Sequence, residues 1–155
     1  MVLILDNNIV IDFLTKREPF YELSKKVVML GVFDDSDNFI TITMLTDIYY
    51  ILQKDYGSET AQELIEENLR YLSLVGTTAD DAYWCLQQRW DDFEDCLVAR
   101  CAENIKADFI VTRDNEGFTR SLVPPITPVE LFELLEARGI TYHEAKIHAE
   151  PASGT

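Results

Sequence analysis

The stretch Val2-Leu-Ile-Leu-Asp6-Asn-Asn8 decides the reading of the fold. A continuous apolar run that meets an acid suits a buried parallel strand ending at a polar edge. A second stretch, Phe109-Ile-Val-Thr-Arg-Asp114, repeats the pattern. Ligands of parallel α/β sheets bind at the carboxyl ends of the strands, which is where Asp6 and Asp114 fall. Each acid also suits a helix cap or a turn.

Working outward, apolar spacing predicts helices over 9–15, 21–33, 44–56, 79–89, 93–104 and 128–137. Ser58 is expected to cap a further helix reaching about Leu72. Short strands are expected at 39–42, 73–75, 109–111 and around Ile126. Pro128 suits the last helix start and Gly139 follows its end. Strands alternating with helices predict an α/β fold, a three-layer α/β/α sandwich around a mostly parallel central sheet. One domain over 1–138 and a tail over 139–155 are expected. The tail holds His143 and His148, whose spacing is poor for sharing a metal on one helix face.

Composition bounds the function. The 155 residues, 47% of them apolar, suffice for one domain with a core. Lys and Arg number 13 against 28 Asp and Glu, a net charge of −15. Such a surface excludes nucleic-acid binding by bulk electrostatics, so action on nucleic acid needs a local reversal of the field, as by a divalent cation. Cys85, Cys96 and Cys101 form no CxxC pair, which argues for buried thiols in a reducing cytosol. No apolar run reaches the roughly 18 residues of a membrane span, and the N-terminus lacks a basic leader. A cytoplasmic protein with no membrane partner is expected.

Most of the acids are ordinary. Glu59, Glu63, Glu66 and Glu67 line a solvated helix face, as do Glu130, Glu133 and Glu136. Two acids beyond Asp6 and Asp114 fall in less ordinary places. Asp95 follows Asp91, Asp92 and Glu94 at a helix start, where acids favour the macrodipole. It also heads a stripe of small residues, Ala99 and Ala102, while Asp92 is better placed as a cap. Asp47 lies inside a helix, where Asp is a poor former, among Met44, Ile48 and Ile51. Two strand ends, one helix start and one helix interior can all meet at one sheet edge. Converging carboxylates are costly unless a hard cation binds them, and oxygen ligands without Cys or His point to Mg²⁺ or Mn²⁺.

These segments resemble the PIN domain, a metal-dependent nuclease fold, over about residues 1–138. Ile4 through Leu14 with Arg17-Glu-Pro-Phe20 resembles the family's opening block. Thr41–Leu52, Asp92-Phe-Glu-Asp95 and Ala107–Asp114 resemble its next three, and Pro125–Leu131 its closing strand and helix. The resemblance implies that Asp6, Asp47, Asp95 and Asp114 are the acidic site residues, with Asp6, Asp95 and Asp114 as metal ligands. Asn8 matches an Asn of the family, Asp92 a frequent neighbour, and Thr41 falls near a Ser/Thr position. Asp47 departs from a common Glu, and Gly117 stands where an Asp is frequent. Arg113 is a candidate for holding a phosphate. The family includes toxins of the VapBC type. An RNA substrate, 5′-phosphate products, an antitoxin protein partner and a homodimer are therefore implied. A second reading is a non-catalytic PIN scaffold that binds a protein. Phosphatases of the haloacid-dehalogenase type need a second Asp where Asn8 stands, and a receiver domain needs an Asp and a Lys placed otherwise.

Overall fold

The computed structural model describes residues 1–142; His143 and His148 lie outside the described residues. Five parallel strands form one sheet: β1 (Val2–Leu5), β2 (Asp37–Thr41), β3 (Ser73–Val75), β4 (Phe109–Val111) and β5 (Pro125–Ile126). Their spatial order is β3-β2-β1-β4-β5. Among the described residues seven helices accompany them: α1 (Asn7–Leu14), α2 (Tyr21–Val32), α3 (Ile42–Tyr56), α4 (Ser58–Asn68), α5 (Ala79–Gln88), α6 (Phe93–Asn104) and α7 (Pro128–Ala137). A 3₁₀ turn over Asn115–Phe118 links β4 to β5.

The strand order carries the functional consequence. From β1 the chain steps to β2 and β3, then returns past β1 to β4 and β5. Right-handed crossovers therefore place α1–α4 on one face of the sheet and α5–α6 on the other. The reversal leaves a crevice between the carboxyl ends of β1 and β4, the place where open parallel sheets bind ligands. Leu5 pairs with Val111 at that end, so Asp6 and Thr112 emerge side by side.

The core explains why these strands hold. Leu3, Ile4, Leu5, Ile40, Ile110 and Val111 are fully buried and pack with Ile9, Val27, Met44, Val98 and Leu131 from the helices. The three thiols are free and buried, as expected. Among the described residues no helix is long and apolar enough to cross a membrane.

Several boundaries move from their expected places, each for a local reason. Helix α1 begins at Asn7 because Asp6 caps it, accepting from the Asn7 N–H at 2.7 Å. Helix α3 begins at Ile42 because Thr41 is its cap and accepts from the Met44 N–H. Strand β2 starts two residues early because Asp37 pairs with Val2. Ser58 does not cap α4: Gly57, at φ 83°, turns the chain and holds the cap position. That φ is open to glycine and strained for other residues. The helix also stops at Asn68, short of Leu72.

Candidate functional site

Each of the acids owes its place to an element end. Asp6 follows β1, caps α1 and is only 9% exposed. Its Oδ2 accepts from the Thr112 hydroxyl at 2.8 Å and from Asn8 Nδ2 at 2.6 Å. Thr112 in turn accepts from the Asp114 N–H at 3.0 Å, and Asn8 Oδ1 accepts from the Arg113 N–H at 3.3 Å. Asn8 and Thr112 thus staple the exit of β1 to the exit of β4. Both rims of the crevice are fixed by hydrogen bonds to groups that cannot easily be solvated otherwise.

Asp114 caps the 3₁₀ turn, accepting from the Glu116 N–H at 3.1 Å. Asp92 caps α6, accepting from the Glu94 and Asp95 N–H groups. Capping therefore explains one bond of Asp6, one of Asp114 and the whole place of Asp92. It does not explain Asp95. Partial burial, followed by the charges of Asp92, Asp6, Glu94 and Asp114, pushes its carboxyl up to about 7. Among the described residues no hydrogen bond to the Asp95 carboxylate offsets these effects. Asp6 is also raised, first by burial and last by the charge of Asp114, against the three hydrogen bonds that lower it. The charges of Asp6 and Asp114 thus reach Asp95, and that of Asp114 reaches Asp6.

Gly117 frames the same space. A Cβ placed on it would lie 2.5 Å from Asp95 Oδ2 and 4.0 Å from Asp114 Oδ2. The two oxygens therefore border one point, kept open by the missing side chain. Asp47 is exposed on α3, and its charge reaches the group through Glu94. Glu94 is raised by burial, then by Asp47, Asp6 and Asp92.

The structure adds residues that sequence reasoning missed. Glu94 stood inside the quoted Asp92–Asp95 segment and was not separated from its capping neighbours. Thr112 stood inside the β4 exit; a hydroxyl between a buried strand and two polar residues was its only signal. Asp12 is fully buried on α1, 2.8 Å from Arg113 Nε. An acid inside Ile9-Val-Ile-Asp-Phe-Leu14 was the signal for it. The pair places Arg113, the candidate for holding a phosphate: its guanidinium lies over the Phe20 ring, 4.0 Å from the centroid, and its Nε lies in ion-pair contact with Asp12.

As they stand, no three Asp, Glu, His or Cys side chains among the described residues form a preformed metal cluster. The donor chemistry nonetheless fits a hard divalent cation. The group offers only carboxylate oxygens, lacks Cys and His, and leaves the Asp95 carboxylate without a hydrogen-bond donor.

A parallel sheet with acids gathered at its switch point defines a doubly wound α/β domain with a carboxylate site. The chain belongs to the PIN domain family, whose profile matches residues 2–116. Solved structures share the fold. VapBC2 from Rickettsia felis, bound to a DNA fragment from its promoter, is 19% identical, with a TM-score of 0.63 over 82% of this chain and 98% of that one. Mycobacterium tuberculosis VapC20, a sarcin-ricin loop cleaving toxin, is 12% identical, with a TM-score of 0.62 over 76% and 94%. A toxin-antitoxin complex from Klebsiella pneumoniae is 15% identical, with a TM-score of 0.61 over 81% and 97%. No curated protein matches the chain in sequence.

Proposed function

We propose that this protein is an endoribonuclease dependent on Mg²⁺ or Mn²⁺, and the toxin of a toxin–antitoxin pair. The observation that carries this reading is the Asp95 carboxylate: partly buried, unbonded and surrounded by like charge at the switch point of the sheet. Holding it there is costly unless a cation is to be bound. The fold shared with VapC20 and VapBC2 supports the ribonuclease class and an antitoxin partner.

In this reading Asp6, Asp95 and Asp114 hold the metal, and Asp47, through Glu94, completes the acidic wall. A cation bound there would supply an activated water and offset charge on the scissile phosphate. The chain's own groups do the positioning. Thr112 and Asn8 fix Asp6 Oδ2, so the carboxylate does not need to reorder when substrate arrives. The missing side chain at Gly117 leaves the space that Asp95 Oδ2 occupies next to Asp114. With a net charge of −15, RNA would need the metal bound first, and the field favours a basic antitoxin segment with an Arg or Lys able to enter the acids. The protein acts in the cytoplasm as a homodimer.

The test is cleavage of single-stranded RNA by the purified chain with Mg²⁺ or Mn²⁺ and with EDTA, beside Asp6→Asn and Asp95→Asn. Cleavage should need the metal and fall at least about a hundredfold in either variant. Undiminished activity in EDTA overturns the metal requirement. No cleavage of any RNA, with a bound protein partner retained by both variants, favours the scaffold reading.

A further inference from the structure

Across the β4 exit from Asp6 lies a cavity of about 460 Å³ that the proposed chemistry does not use. Phe20, Leu23 and Ser24 of the α2 start form one wall, Pro128 and Val129 of the α7 start another, and Arg113 closes the end nearest β4. Successive residues of the β4 exit divide the two spaces: Thr112 bonds Asp6, whereas Arg113 lines the cavity. The two spaces therefore open on either side of the β4 exit, at consecutive residues.

Arg113 is set as a rigid plane. Phe20 covers it at 4.0 Å, and the fully buried Asp12 holds Nε at 2.8 Å. Its Nη atoms make no hydrogen bond among the described residues, and the side chain is 28% exposed. A guanidinium with a committed Nε and open Nη atoms is suited to a phosphate, and its neighbours are suited to an apolar ring. The volume lies in the range of pockets that enclose small molecules. Unpaired RNA bases are recognised by insertion among apolar side chains and guanidinium planes.

We propose that this cavity is a nucleotide subsite: it takes the base of an unpaired nucleotide next to the scissile phosphate, while the phosphate of that nucleotide meets the Arg113 Nη atoms. The subsite rests on the ribonuclease reading for its biological use, yet its chemistry is testable without cleavage. An acidic peptide from a protein partner is the competing occupant. It matches the guanidinium but gives no reason for a flat cation beside the acids.

The experiment is an NMR titration in EDTA with adenosine 5′-monophosphate, ribose 5-phosphate and a short acidic peptide, on the wild type and Val129→Trp. Val129 is 50% exposed at the second position of α7, so the larger ring fills the cavity from its rim without entering the core. The nucleotide should shift Phe20, Leu23, Val129 and the Arg113 Nε–H, with ribose 5-phosphate and the variant each weaker by about tenfold. RNA cleavage by Val129→Trp should show a KM raised about tenfold at unchanged kcat, as expected for lost ground-state binding. No nucleotide shifts at millimolar concentration, or shifts from the peptide alone, overturn the subsite. Metal-dependent cleavage alongside that silence leaves the ribonuclease standing. Nucleotide shifts at the cavity without any cleavage keep the subsite and remove the ribonuclease.

Discussion

The Asp95 carboxylate occupies the space that a side chain at Gly117 would need, with Oδ2 2.5 Å from the position of a Cβ there. One residue is in α6 and the other in the 3₁₀ turn after β4, so this contact joins the two faces of the crevice. Gly117→Ala should leave the fold intact, because Asp95 can rotate away, but should weaken Mn²⁺ binding by about ten- to a hundredfold. Titration with Mn²⁺, followed by paramagnetic broadening, checks this. An unchanged affinity would mean that Asp95 does not need its observed position.

Thr112 should matter for the same reason from the other side. Thr112→Val keeps the shape and removes the hydroxyl that donates to Asp6 Oδ2. Asp6 is then left buried with one donor fewer, at a cost of about 1–3 kcal/mol. Urea unfolding measures it, and metal affinity should fall in parallel. A variant as stable as wild type would show that the Asn8 bond suffices alone.

Asp92 separates capping from catalysis. Asp92→Ala should cost about 1 kcal/mol of capping, whereas Asp92→Asn keeps the cap and relieves the like charge facing Asp95, so it should be no less stable than wild type. Thermal melting of both variants decides it. Equal losses would mean that the charge of Asp92, rather than its capping oxygen, stabilises α6.

Asp81 sets the acid limb of stability. It accepts from Thr78, Asn104 and Arg100, and these bonds, the Thr78 N–H foremost, hold its carboxyl well below the usual range. A depressed carboxyl contributes stability that is present above its unfolded pKa and lost as pH falls toward the folded one. Asp81→Asn should therefore destabilise by about 2 kcal/mol near pH 7, with the gap to wild type closing below about pH 4. A gap independent of pH would assign the loss to packing.

Much of this architecture is legible in the chain. The apolar runs ending at Asp6 and Asp114 foretold the parallel strands, and α6 and α7 lie where spacing and Pro128 put them. The candidate acids were readable because an acid ending a buried strand is a local pattern. What brings them together was not, since strand order is a long-range property. The bond from Thr112 to Asp6 spans 106 positions, and no spacing rule joins such residues. Asp12 and Arg113 were hidden alike: the acid belongs to an amphipathic helix, and only tertiary packing shows that it faces inward.

The central claim is that Asp95 belongs to a cation site and is not one more cap. Burial and like charge raise its carboxyl to about 7, so the folded state binds more protons than the unfolded one between about pH 4 and 7. Without added metal, stability should therefore fall as pH rises through that window. Asp95→Asn removes the charge at nearly constant shape. Melting of the wild type and Asp95→Asn at pH 8, with EDTA and with Mn²⁺, tests the claim most directly. The account predicts a variant about 2–4 °C more stable in EDTA, for each 1 kcal/mol of repulsion relieved, that has lost most of the stabilisation by Mn²⁺. A variant no more stable in EDTA, with the wild-type response to Mn²⁺, would contradict it.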